Sequence, residues 1–174
     1  DYFCKIGTAV MASKNKAFDY SGEEDIIRKL VKWTIVQDKA ASFRYDRGWL
    51  LKGKTGVGKT MLLKIFSEFL RIGDFAFQSG GKTCPLAPKC VSALTIAGEY
   101  TADDGGYRVV ERYAKYPSLI IDDIGAEPVE QNSYGNKLNV INMILYKREE
   151  NDMLTFGTTN INNFSTIPGY DDRI

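Results

Sequence analysis

Apolar and polar positions along the chain switch repeatedly between a helical and a strand-like period, and the switches outline its elements. Ile27, Leu30, Val31 and Ile35 recur at helical spacing in "SGEEDIIRKLVKWTIVQ", which predicts a helix over about 22–37. Ser21 followed by Glu24 opens it as a capping box, each side chain facing a free backbone N–H of the first turn. "GWLLK" (48–52) is short and apolar, the mark of a buried strand. Leu62, Ile65, Phe66, Phe69 and Leu70 then form an i, i+3, i+4, i+7, i+8 stripe. Gly73 stands where a left-handed residue closes such a helix.

"DFAFQ" (74–78) predicts a second strand, and "SGGKTCPLAPKC" (79–90), rich in Gly and Pro, predicts a loop. Residues 91–106 give no clear period. "YRVVERYAKY" predicts a short helix that Pro117 helps to stop. "SLIID" (118–122) is a continuous apolar strand ending in acid. Leu138, Ile141, Ile144 and Leu145 share one face of a helix running into "KREEN", and "MLTFGTTN" (153–160) is a further buried strand. Strands that are apolar throughout and separated by helices imply an α/β fold, with a parallel sheet covered on both faces. Residues 1–20 show no clear period and read as an N-terminal arm. No internal repeat is visible, so 21–174 reads as one domain.

Composition narrows the classes without choosing one. The 174 residues are enough for a single core, and 44% apolar with 26% charged residues is ordinary for a soluble protein. Lys and Arg total 23 against 22 Asp and Glu, so no global basic field announces nucleic acid or an anionic membrane. No apolar run reaches membrane-spanning length and the start lacks a signal-peptide core, so no membrane partner and a cytoplasmic location are expected. Cys4, Cys84 and Cys90 accompany no His at all. The C-x5-C spacing is not a metal spacing, and reduced thiols in a loop are expected.

The chemistry lies at three strand ends. "GKTGVGKT" (53–60) is an uninterrupted G-x-x-x-x-G-K-T between an apolar strand and a helix. Gly53, Gly56 and Gly58 let the loop wrap a phosphate with consecutive backbone N–H groups, and the helix aims its N-terminal dipole at the same place. Lys54, Thr55, Val57 and Met61 complete the segment expected to line the nucleotide. Lys59 would reach the β- and γ-phosphates, and the Thr60 hydroxyl would bind Mg²⁺. Such a metal calls for a carboxylate counterpart. "LIIDDIG" offers Asp122 for the metal site, acting through water, and Asp123 to polarise an attacking water, at the sheet edge where ligands bind. Asn160 in "GTTNIN", at another strand end, would hydrogen-bond that water or the γ-phosphate and so sense the nucleotide. ATP and Mg²⁺ are the expected cofactors.

A GTPase would need N-K-x-D. The nearest match, "NKLN" at 136–139, has Asn139 in place of Asp, follows the acidic strand too closely, and falls inside a predicted helix. A small-molecule P-loop kinase remains an alternative, although the double acid favours attack by water and no Arg-rich lid is visible. A binding module with a vestigial nucleotide site is the other alternative, against which the intact loop and acid pair argue.

Together these blocks resemble a family: the AAA+ ATPases of the DnaC-like helicase-loader and IstB-like transposition-helper group. The likeness rests on "FDYSGEEDIIRKLVKW", "GWLLKGKTGVGKTMLLKIFSEFLRIG", "YAKYPSLIIDDIGAEPV", and "GTTNIN" followed by "GYDDRI". In that family the corresponding blocks are Walker A, Walker B and sensor 1, in agreement with the roles of Lys59, Thr60, Asp122, Asp123 and Asn160. The resemblance implies a P-loop NTPase core of the AAA+/ASCE type with a 5-1-4-3-2 sheet, the sensor strand lying between the two Walker strands. It also implies ATP rather than GTP, and self-association in which one subunit completes its neighbour's site. A replicative helicase or a transposase is the expected protein partner, with single-stranded DNA a further candidate through Lys82, Lys89 and Arg108.

The family's trans-acting arginine lies in a G-x-R-x-x-x-R segment. Arg173 matches its first arginine, and the sequence ends at Ile174 before the second. The fifth strand and the lid elements are likewise expected to be missing, and the loop at 79–90 does not follow the family. The motifs do not separate helicase loading from transposition.

Overall fold

A computed structural model describes residues 2–35, 48–79, 82–133 and 135–164. Four parallel strands form the central sheet in the order β1-β8-β5-β4, where β1 is Leu50–Lys52, β8 Leu154–Thr159, β5 Ser118–Ile124 and β4 Lys89–Ser92. Along β5, Ile120 faces one side while Leu119 and Ile121 face the other, and all three are at most 1% exposed. A strand with two buried faces reads as a near-continuous apolar run, and "SLIID" was legible for that reason.

Each face carries a core. On one side Ile120, Leu51 and Phe156 meet α2 (Glu24–Ile35) and α3 (Lys59–Ile72). There Trp33, Phe66 and Phe156 pack edge to face with ring centroids 5.5–6.1 Å apart. On the other side Leu119, Ile121 and Ile124 meet α4 (Ala93–Thr101), α5 (Tyr107–Ala114) and α6 (Val140–Glu150). Arg148 of α6 is fully buried. Its guanidinium donates to the carbonyls of Tyr113, Tyr116 and Leu154 at 2.6–2.8 Å and to Thr155 Oγ1 at 2.8 Å. Burial pushes its pKa down to about 10, and with four acceptors around it the group stays cationic at neutral pH.

The sheet order is the 1-4-3-2 part of the expected arrangement, with β8 between β1 and β5. Several details differ from the sequence reading. The strand read at 74–78 is β2 (Ala76–Ser79), which pairs antiparallel with β3 (Lys82–Pro85) outside the main sheet. The register of this pair runs from Ala76 opposite Pro85 to Ser79 opposite Lys82. The position beside β5 belongs instead to β4, within and just beyond the stretch read as loop. It is four residues long and follows Pro85 and Pro88, so its own sequence carries almost no strand signal; pairing with β5 defines it.

The N-terminal segment is no irregular arm. Tyr2–Ala12 form α1, with Phe3 and Ile6 buried and ring centroids of Phe3 and Phe69 5.5 Å apart. The helix α2 begins at Glu24 rather than 22, after a turn in which the Ser21 N–H donates to Asp19 Oδ1. Its expected end at 36–37 lies outside the described residues. Gly73 is right-handed (φ −77°), and Asp74 takes the left-handed place (φ 50°). The Asp74 N–H donates to Arg71 O and the Phe75 N–H to Leu70 O, a Schellman closure displaced by one residue. A side chain at Gly73 would meet the Phe75 ring at 2.3 Å, so this glycine serves packing. Finally, "NKLN" is not helical. A short hairpin, β6 (Gln131–Ser133) with β7 (Asn136–Leu138), precedes α6, and Asn139 caps that helix by accepting from the Asn142 N–H at 2.8 Å. The case against a guanine-specific site therefore rests on Asn139 replacing Asp and on its closeness to β5.

Candidate nucleotide-binding site

The loop between β1 and α3 leaves the C-terminal edge of the sheet, where the Gly53 N–H donates to Thr159 O at 3.2 Å. Gly56 (φ 88°) and Gly58 (φ 85°) are left-handed, a conformation that L side chains rarely adopt. Gly58 is also the N-cap of α3 and has no side chain to satisfy the first-turn N–H groups. Those donors and the helix dipole form the anion-attracting feature that the spacing predicted.

Four of the predicted residues converge on this edge. Lys59 Nζ donates to Gly53 O and Lys54 O at 2.9 Å and to Asn160 Oδ1 at 2.8 Å. Thr60 Oγ1 donates to Asp122 Oδ1 at 2.7 Å. One ammonium therefore ties the loop to β8, and one hydroxyl ties α3 to β5. Lys54, Thr55 and Val57 are exposed along the loop, and Met61 is half-buried against the first core. Asp123 is half-exposed and left-handed (φ 54°), at a point where the β5–β8 register shifts.

A magnesium–nucleotide suits this set on donor chemistry alone. Uncapped backbone N–H groups and an ammonium match phosphate oxygens, and a hydroxyl beside a carboxylate matches a hard cation.

Sequence reading missed Thr158, which is fully buried. Its hydroxyl donates to Asp122 Oδ1 at 2.6 Å and accepts from the Asp123 N–H at 2.8 Å. The signal was "GTTN", two hydroxyl residues in a strand that is otherwise mostly apolar. Thr159 Oγ1 donates to Ile124 O at 2.7 Å and accepts from the Ile161 N–H, anchoring the turn that carries Asn160. Gly125 (φ 90°) lies against Ile161, and its N–H donates to the buried Glu127 carboxylate at 2.8 Å.

Other expected residues stand apart from this edge. Lys82 is on the β2–β3 hairpin, which packs on the α1–α3 side through Phe75, Phe77 and Leu86, whereas Arg108 is on α5 across the sheet. Lys89 starts β4 at the opposite edge from Asp122, with Nζ 3.0 Å from Tyr116 Oη and over its ring. The three cations form no single patch. All three cysteines are free thiols, and burial pushes Cys90 upward in pKa. No group of three metal-ligating side chains occurs among the described residues. Arg173 and the rest of "GYDDRI" lie outside them. No helix among them is long and apolar enough to cross a membrane.

No protein-family model matches the chain, and no curated protein matches it in sequence. Solved structures do. The crystal structure of DnaI matches at TM-score 0.57 and 22% identity, over 86% of this chain and 71% of that one. A Streptococcus pyogenes serotype M3 protein described as a primosome component matches at TM-score 0.57 and 20% identity, over 86% and 69%. AMPPCP-bound DnaA from Aquifex aeolicus matches at TM-score 0.51 and 13% identity, over 86% of this chain but 40% of its own. The fold is that of the AAA+ P-loop NTPases.

Proposed function

We propose that this chain is an ATP-binding, ATP-hydrolysing switch of the AAA+ class that acts in DNA replication by loading a replicative helicase. The observation that carries the reading is the convergence of three separated segments on one sheet edge: Lys59 on Asn160, and Thr60 on Asp122. Those residue types at those strand ends are what a triphosphate and its cation require. The replication assignment is supported by likeness of fold to DnaI, to a primosome component and to DnaA. A transposition helper would share the same site, and stimulation by a transposase rather than a helicase would reassign the partner.

Mg²⁺, when bound, offsets triphosphate charge and polarises the transferred phosphoryl group. Thr60 and Asp122 would hold the cation, Asp122 through water. Lys59 would give up its loop carbonyls and donate to phosphate oxygens, which releases the Asn160 amide to hydrogen-bond the γ-phosphate or the attacking water. Asp123 would orient and deprotonate that water. Ordering of these strand ends by ATP, and their release on hydrolysis, is the switch; it favours self-association while ATP is bound. Single-stranded DNA would stimulate turnover, and the setting is cytoplasmic.

The test is equilibrium binding of Mg-ATP together with phosphate release, with and without single-stranded DNA. Lys59→Ala is expected to abolish binding. Asp123→Asn is expected to bind normally and to lose turnover by about a hundredfold or more. Binding untouched by Lys59→Ala would sink the reading.

A further inference from the structure

The register of β8 against β5 contains a discontinuity that the nucleotide motifs do not explain. Gly157 pairs with Ile121 and Thr159 with Ile124, so the single residue Thr158 stands opposite two residues, Asp122 and Asp123. This is a β-bulge, a device that re-aims side chains beside functional sites. The extra residue is Asp123, whose left-handed backbone (φ 54°) is costly for a residue other than glycine. What holds it is the Thr158 hydroxyl. It accepts from the Asp123 N–H at 2.8 Å and donates its own proton to Asp122 Oδ1 at 2.6 Å.

We propose that Thr158 is a positioning residue that sets both acids of the site at once: it fixes the Asp122 carboxylate toward Thr60 and holds the bulge that presents Asp123. The inference rests on the nucleotide reading above and deepens it. The hydroxyl is used in both directions, as donor and acceptor, with Thr158 fully buried. Only a hydroxyl of this reach serves both acids. A methyl in its place leaves a half-buried N–H without its acceptor and takes one of the two hydroxyl donors from Oδ1, the other being Thr60 at 2.7 Å. Because Oδ1 is held from two sides, the carboxylate plane is defined before any ligand arrives, the preorganisation that metal-site ligands need.

The experiment compares Thr158→Val, which keeps shape and loses the hydroxyl, with Thr158→Ser, which keeps the hydroxyl. Three quantities are read on the intact chain. They are the affinity for a fluorescent ATP analogue with and without Mg²⁺, amide exchange at Asp123, and ATP turnover. For Thr158→Val the gain in affinity on adding Mg²⁺ should shrink by about tenfold, while Mg²⁺-free affinity, set by the glycine loop, stays within about twofold. The Asp123 amide should exchange about tenfold faster or more, and turnover should fall with the lost metal gain. Thr158→Ser should restore all three.

A purely structural role would lower the melting temperature and leave the magnesium gain unchanged, and that result overturns the proposal. Should Thr158→Val not fold, Thr158→Cys keeps the volume with a weak hydrogen-bonding group and is expected to shift the same readouts in the same direction. Wild-type protein without affinity for the analogue defeats the nucleotide reading itself. Wild-type affinity with a Val variant indistinguishable from it defeats only the assignment of Thr158.

Discussion

At the scale of single residues, the site divides into what spacing encodes and what only register reveals. The meeting of Lys59 with Asn160 and of Thr60 with Asp122 was legible because each residue is tied to a position: after a glycine run, or at the end of an apolar strand. Thr158 was not, because its role depends on a one-residue slip between two strands distant in sequence. Arg148 was not, because an arginine in "KREEN" reads as solvated charge until α6 is laid on the sheet. Gly125 is another such case. Its backbone is left-handed, and an added Cβ would lie 1.9 Å from Ile161 Cδ1, next to Asn160. Gly125→Ala is therefore expected to cost about 1–2 kcal/mol, read as a lower denaturant midpoint at unchanged slope. The displaced Ile161 should also slow turnover more than it weakens nucleotide binding.

At the scale of elements, strong periods were read correctly, while several of the short strands were not. α3 announced itself through five apolar positions on one face, β5 through the apolar run Leu119–Ile121, and β8 through Leu154 and Phe156 ahead of its polar end. β4, β6 and β7, of three or four residues each, are defined by partners rather than by pattern. The end of α3 shows how close a sequence rule can come while missing by one position. A left-handed residue does close the helix, but it is Asp74, because Gly73 has to make room for the Phe75 ring. Replacing the strained aspartate should help: Asp74→Gly is expected to stabilise by up to about 1 kcal/mol. Thermal or urea unfolding would show it, and a loss of stability would mean that the Asp74 side chain makes a compensating contact.

At the scale of the molecule, the parallel sheet with two covered faces follows from hydrophobic continuity, and the strand order agreed with the family likeness. The part that escaped was α1. Phe3, Ile6 and Val10 do recur at helical spacing, yet the segment is apolar nearly all round, so its pattern lacked contrast. It is part of the body through Phe3 and Phe69, and Phe3→Ala is expected to cost about 3 kcal/mol. A midpoint shift of a few tenths would instead show α1 to be loosely attached. Arg148 has a consequence of its own. It bolts the entry ends of β5 and β8 to the end of α5, while the hydroxyls of Thr158 and Thr159 lace their exit ends together. The two middle strands are thus clamped at both rims, so parting them would require breaking buried hydrogen bonds at either end of the sheet.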